Sequence, residues 1–190
     1  ASDRRVALGS GVVVGKQLVV TNCHVIKSAD SVRVLQRKSS FNATVLSRDL
    51  DHDLCTLGTP ELSATPAVLR ANDPLQVGEA VYALGSPHGL ELTITEGLVS
   101  SLREHEGASL IQTSAAISPG SSGGGLFDAE GRLVGITTFS VRGGQNLNFA
   151  LPVAWIAGLA TTRAEPETLA TGREPAAGTL PVKPAPAPVA

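Results

Sequence analysis

Between Val6 and Ala150 short apolar runs alternate with turn-forming residues. The runs fall at 11–14, 17–21, 31–35, 42–47, 54–57, 80–85, 91–102, 110–113, 124–127, 133–139 and 146–150. Many short strands at this spacing predict an all-β sandwich or barrel built of antiparallel hairpins. Breaks at Val14-Gly15-Lys16, Asp128-Ala129-Glu130-Gly131 and Arg142-Gly143-Gly144 read as hairpin turns in which glycine takes up positive φ. Two stretches depart from the strand rhythm. The apolar spacing of 153–159 predicts one short helix with Pro152 near its start, where a missing N–H does no harm, and 23–28 reads as a helical turn.

A polar, turn-forming gap at Arg70-Ala71-Asn72-Asp73-Pro74 divides the runs into two groups of five or six. The expected organisation is a first β-barrel over residues 1–72 and a second over 73–160 that includes the helix. Beyond residue 160 the chain turns to Pro, Ala, Thr and Glu. A segment of that kind cannot bury enough apolar surface to offset its chain entropy, so 161–190 is expected to be a disordered linker or tail.

Composition narrows the core and the partners. Of 190 residues 42% are hydrophobic but only 3% aromatic, and Met is absent, so the core must be aliphatic and β-branched, as strands favour. A formal charge of −2 provides no pull toward nucleic acid or anionic membrane. No apolar run approaches the ~20 residues of a membrane span. The leading Ala-Ser-Asp-Arg-Arg lacks an apolar signal core, so no signal peptide is expected within this sequence. Two cysteines are too few for a disulfide scaffold and leave the redox compartment open.

Candidate chemistry begins at Ser118-Pro119-Gly120-Ser121-Ser122-Gly123-Gly124-Gly125, where glycines crowd two hydroxyls. Glycine lets backbone N–H groups turn toward a developing oxyanion, so Ser122 reads as a nucleophile with Gly120, Ser121 and Ser122 forming the oxyanion loop and the N–H groups of Gly120 and Ser122 as donors. Taken alone, the segment fits a glycine-rich hairpin loop equally well. The positions of the histidines separate the two. Gly120-x-Ser122-x-Gly124 also fits the nucleophile elbow of α/β-hydrolases, whose histidine follows the serine, but here the last histidine is His105. Upstream, His24 and Asp53 stand in the order His, Asp, Ser of chymotrypsin-type enzymes. Asp53 is preferred to Asp49 and Asp51 because it opens an apolar strand and so lies nearer burial. His52 and His88 read as surface residues. Cys23, His24, His52 and Cys55 lack any recognised zinc spacing, so no metal or other cofactor is expected. In a period-two strand Asp53 and Cys55 face the same way, toward Cys23 and His24. The thiols can therefore be neighbours, free or bonded, and the free state is the preferred reading.

Across 6–158 the sequence resembles the protease domain of the HtrA/Deg family of chymotrypsin-fold serine proteases. Four blocks carry the resemblance: Gly9-Ser10-Gly11 leading into Val20-Thr21-Asn22-Cys23-His24-Val25, then Asp53-Leu54-Cys55-Thr56-Leu57, then Thr93-Ile94-Thr95-Glu96-Gly97 with the loop before it, and the serine loop with 135–152. The chain departs from the family pattern at Ser121, usually Asn or Asp, and at Gly125, usually Pro, and no PDZ domain follows. The resemblance implies two six-stranded antiparallel β-barrels with a short C-terminal helix and an extracytoplasmic endopeptidase acting on unfolded polypeptide. It also implies a His24-Asp53-Ser122 triad, with Asp53 orienting the imidazole. The oligomeric state is not carried over. A protease fold that has lost hydrolysis and serves as a binding module remains the alternative. The pocket for the side chain before the scissile bond would be bordered by Ala116, Thr138, Phe139, Ser140 and Leu147. Ala116 stands where an acid would select Lys or Arg, and Leu147 shortens the cavity, so Val, Ala, Leu or Ile are expected there.

Overall fold

The computed structural model describes residues 7–70, 72–86, 92–105, 108–140 and 147–161. Its strands follow the apolar runs. β1 (Val12–Gly15), β2 (Leu18–Asn22), β3 (Val32–Gln36), β4 (Ser39–Asp49) and β5 (Leu54–Gly58) form one antiparallel sheet in the order β1-β2-β5-β4-β3. β6 (Ala80–Gly85), β7 (Thr93–His105), β8 (Ala108–Thr113), β9 (Gly125–Asp128), β10 (Leu133–Ser140) and β11 (Asn148–Pro152) close into a barrel in the order β10-β11-β8-β7-β6-β9. A single turn, α1 (Cys23–Ile26), follows β2, and α2 (Val153–Thr161) follows β11. The fold is thus the chymotrypsin-like double barrel.

Its first half is not the expected six-stranded barrel, since among the described residues it is a five-stranded sheet that stays open. The reason lies in how the edges meet the core. Val13 from β1 and Val32 and Val34 from β3 pack on the same buried group of Val19, Ile26, Cys55 and Leu57. The sheet therefore curls around one aliphatic cluster and buries its inner face without its two edge strands pairing.

A second cluster joins the halves. Val12, Val20 and Leu54 of the first sheet pack with Leu133, Ile136 and Leu151 of the barrel and with Val153 and Ile156 of α2. At roughly 1.5–3 kcal/mol for each buried branched side chain, this seam binds the two sheets firmly, so groups at its rim hold fixed relative positions.

The connector at Arg70, expected to be a polar joint, is a buried ionic knot. The Arg70 guanidinium lies 2.6 Å from Glu79, 3.2 Å from Asp73 and 3.5 Å from Asp128, and Asp128 also takes Arg132 at 2.8 Å. Its backbone N–H donates to the Leu133 carbonyl. Burying one charge alone is costly, and several partners from separate segments are what make it tolerable. The Arg70 hydrogen bond holds Glu79 below the ordinary carboxylate range against the opposing effect of burial. Glu79 therefore adds stability at neutral pH that is lost only as pH falls through that lowered pKa. Among the turns, Gly131 has φ +75° as expected, whereas in the β1–β2 hairpin the positive φ falls on Gln17 (59°) rather than Gly15. Arg142-Gly143-Gly144 and residues 162–190 lie outside the described residues.

The cysteines are bonded to each other, contrary to the expectation of free thiols. Pairing of β2 with β5 sets Thr21 opposite Cys55, and α1 turns Cys23 back over that position with a Cα–Cα distance of 5.0 Å, inside the disulfide range. The bond closes a loop with a sequence separation of 32, for which chain entropy predicts about 3–4 kcal/mol of stabilisation. A Cys23→Ala/Cys55→Ala double variant should lose that amount in denaturant unfolding. An unchanged midpoint at constant slope would show that the bond contributes nothing.

Candidate active site

His24 and Asp53 are brought together by the β2–β5 pairing. β2 ends at Asn22, so α1 lifts His24 off the sheet beside the turn that precedes β5. In that turn Asp53 has φ +54°, a left-handed conformation that short polar side chains tolerate best. Its carbonyl accepts the Cys23 N–H at 3.1 Å and Asn22 Nδ2 at 3.0 Å. Its carboxylate Oδ1 accepts the His24 N–H at 2.9 Å, and Oδ2 lies 2.6 Å from His24 Nδ1. An ionised carboxylate only accepts, so Nδ1 carries the proton and Nε2 is left as the basic nitrogen. The side chains of His24 and Asp53 remain 48% and 32% exposed, open to a ligand.

The neighbouring acids have other positions. Asp49 accepts the His52 N–H at 3.1 Å and pairs with its Nδ1 at 2.7 Å, and the His52 ring lies 4.2 Å from that of Trp155. His52 is therefore half-buried, not the surface residue expected, and ties α2 to the first sheet. Burial works to raise the Asp49 pKa, but the His52 hydrogen bonds prevail and hold it low. Asp51 is exposed in the turn. The disulfide removes both thiolates from any zinc site, and no group of three metal-ligating side chains occurs among the described residues. His88 lies outside the described residues.

The serine loop is held from β10. Thr137 Oγ1 donates to the Ser121 carbonyl at 2.8 Å, and the Gly124 N–H reaches the same oxygen at 2.9 Å. Because a trans peptide points its C=O and N–H in opposite directions, this turns the Ser122 N–H away from β10. The Ser121 N–H is taken by the Ser118 carbonyl at 2.9 Å, so Ser121 enters the oxyanion loop through its carbonyl and offers no donor. Ser122 Oγ donates to the Thr138 carbonyl at 2.6 Å, and Thr138 Oγ1 makes a long 3.5 Å contact with Asp53 Oδ2. Thr138, expected on the pocket wall, is buried and stands between serine and acid instead.

Ala116 lines a small recess with Leu84, Thr93, Thr95, Ser118 and Ser121, and Thr95 Oγ1 holds its carbonyl at 2.8 Å. Thr137, next to Thr138 on β10, lines the same recess. Leu147 is half-buried just before β11, and the side chains of Phe139 and Ser140 are outside the described residues. Thr137 escaped the sequence reading, although two adjacent threonines in an otherwise apolar strand were a usable signal.

These observations define a class: a double-barrel β protein with a carboxylate-oriented histidine on one half and a glycine-loop serine on the other. Residues 9–136 match the model of the trypsin-like peptidase domain. The chain belongs to that family and is an HtrA-type chymotrypsin-fold serine protease domain. It is 39% identical over 166 residues to Protease Do-like 1, chloroplastic, of Arabidopsis thaliana, covering 80% of this chain and 38% of that protein. A probable periplasmic serine endoprotease DegP-like of Pseudomonas fulva is 39% identical over 158 residues, 78% of this chain and 33% of that one. The chain thus spans about a third of the length of these curated relatives. Among solved structures, the serine endoprotease from Yersinia pestis superposes with a TM-score of 0.76 at 30% identity, covering 84% and 58% of the two chains. An inactive form of Rv3671c from M. tuberculosis gives 0.72 at 29%, covering 80% of each.

Proposed function

We propose that this domain is a serine endopeptidase that cuts unfolded or misfolded polypeptides through Ser122, His24 and Asp53. The observation that carries the reading is the 2.6 Å contact between His24 Nδ1 and Asp53 Oδ2, which leaves Nε2 as a base. Rotation about χ1 of Ser122 transfers its hydroxyl from the Thr138 carbonyl to Nε2, which takes the proton as Oγ attacks the substrate carbonyl carbon. The N–H groups of Gly120 and Ser122 receive the oxyanion. Collapse passes the proton from His24 to the leaving amine and leaves an acyl-enzyme. Water, deprotonated by His24, releases the acid product and returns the proton to Ser122. Asp53 stays ionised throughout and stabilises the imidazolium. An extracytoplasmic setting is supported by the disulfide, which persists in oxidising compartments, and by the periplasmic relatives.

One observation favours a second reading. The Ser122 hydroxyl is bonded to Thr138, as it would be in a protease-fold binding module or a form awaiting a partner. Incubation of the purified domain with unfolded casein separates the two: peptide release is expected, and an intact substrate over days would favour the binding module. Mass spectrometry of the fragments should show cuts after Val, Ala, Leu or Ile, because Ala116 offers no charge to a buried Lys or Arg. Cuts mainly after Lys or Arg would refute the role of Ala116, and cuts mainly after Phe or Tyr that of Leu147.

A further inference from the structure

We propose that Ser10 is a positioning residue for the nucleophile loop, the point through which the first sheet sets the backbone of Gly120 and Ser122. The inference rests on the catalytic reading of Ser122 given above. Ser10 lies just before β1, half-buried, and each of its hydrogen-bonding groups is engaged. Its N–H donates to the Ser122 carbonyl at 2.8 Å. Its hydroxyl donates to the Gly120 carbonyl at 2.8 Å and accepts the Ser86 N–H at 2.8 Å. Its carbonyl accepts Thr21 Oγ1 at 2.7 Å. One residue thereby joins the serine loop twice, the end of β6, and the strand that leads to His24.

The hydroxyl bond matters because of where Gly120 stands. Gly120 has φ +94°, and glycine is the residue whose backbone rotates most freely. Its N–H is one of two oxyanion donors, and a donor contributes to catalysis only if it is already aimed before charge develops. Ser10 holds the Gly120 carbonyl and so the 120–121 peptide, whose N–H, on the Ser118 carbonyl, closes the turn that has the 119–120 peptide and its Gly120 N–H at the centre. The Ser10 N–H fixes the 122–123 peptide in the same way. Between them lies the peptide carrying the Ser122 N–H, held by Thr137 and Gly124. The approach is so close that a Cβ at Gly123 (φ +85°) would lie 2.2 Å from the Ser10 carbonyl oxygen.

A residue that aims the oxyanion donors acts on the transition state and not on substrate binding. Ser10→Ala removes the hydroxyl and leaves both backbone bonds. On a peptide substrate we expect kcat to fall about 10- to 100-fold, below the full loss of one oxyanion donor, with KM unchanged within about threefold. The second-order rate of labelling by a fluorophosphonate should fall in parallel, with a melting temperature still well above that of the assay. Thr21→Val, which releases only the Ser10 carbonyl, should lower kcat by a smaller factor at constant KM, and it carries the test if Ser10→Ala does not fold. Unchanged kcat in the folded variants, or a loss that only tracks the unfolded fraction, overturns the proposal. A wild-type domain that the probe fails to label at Ser122 sinks the catalytic reading itself. Equal labelling of wild type and Ser10→Ala sinks only the role of Ser10.

Discussion

Ser122→Ala should reduce hydrolysis of casein by roughly 10⁴- to 10⁶-fold, the loss typical of removing a nucleophile whose partners cannot act without it. Among the described residues the side chain makes one hydrogen bond, to the Thr138 carbonyl in the irregular stretch of β10 between Thr137 and Ser140, and it is only partly buried. Stability should therefore change by no more than about 1 kcal/mol. The same loop offers a built-in control, because Ser121 carries an equivalent hydroxyl one residue away. Ser121→Ala should keep most of the activity, since its backbone carbonyl, not its side chain, is what Thr137 and Gly124 hold. Undiminished cleavage by Ser122→Ala in a fluorescence-quenched peptide assay would contradict the assignment.

Asp53→Asn should cost about 10⁴-fold in kcat, the size of effect seen when a triad acid becomes an amide. The amide has almost the shape of the carboxylate, and Asn accepts a left-handed backbone as readily as Asp, so the fold should survive. What changes is the proton. An amide NH₂ facing Nδ1 favours the tautomer with hydrogen on Nε2, and an Nε2–H cannot take the proton of Ser122. Asp51→Asn should stay within about twofold of wild type, because that side chain is exposed and surface changes of this kind are usually small. The reverse ranking would show that another carboxylate orients His24. The pairing of Asp49 with His52 already leaves Asp49 a poor rival.

The strands could be read from the chain because alternation with period two and punctuation by Gly, Pro and Asp are local signals. Likewise His24, Asp53 and Ser122 stood out by their order and by the blocks around them. What escaped depends on which strands lie side by side. That Cys23 and Cys55 are neighbours can be read from the period-two strand, whereas their bonding depends on the β2–β5 register that sets the Cα–Cα distance of 5.0 Å. The Arg70 knot draws Glu79, Asp128 and Arg132 from distant positions, so the segment looked like an ordinary polar joint. The double-barrel class is legible, but strand number does not say whether the edges of the first sheet pair or, as among the described residues, merely pack on a common core. Thr138 and Ser10 serve through backbone groups as much as side chains, and a backbone carbonyl has no signature in a sequence.

The central claim is that Ser122 is a nucleophile activated by His24 and Asp53. Its most direct test is to treat the folded wild-type domain with a fluorophosphonate, digest it, and locate the adduct by mass spectrometry. We expect a single adduct on Ser122, slowed by orders of magnitude in Asp53→Asn. An adduct on Ser121, or none on either serine, would contradict it.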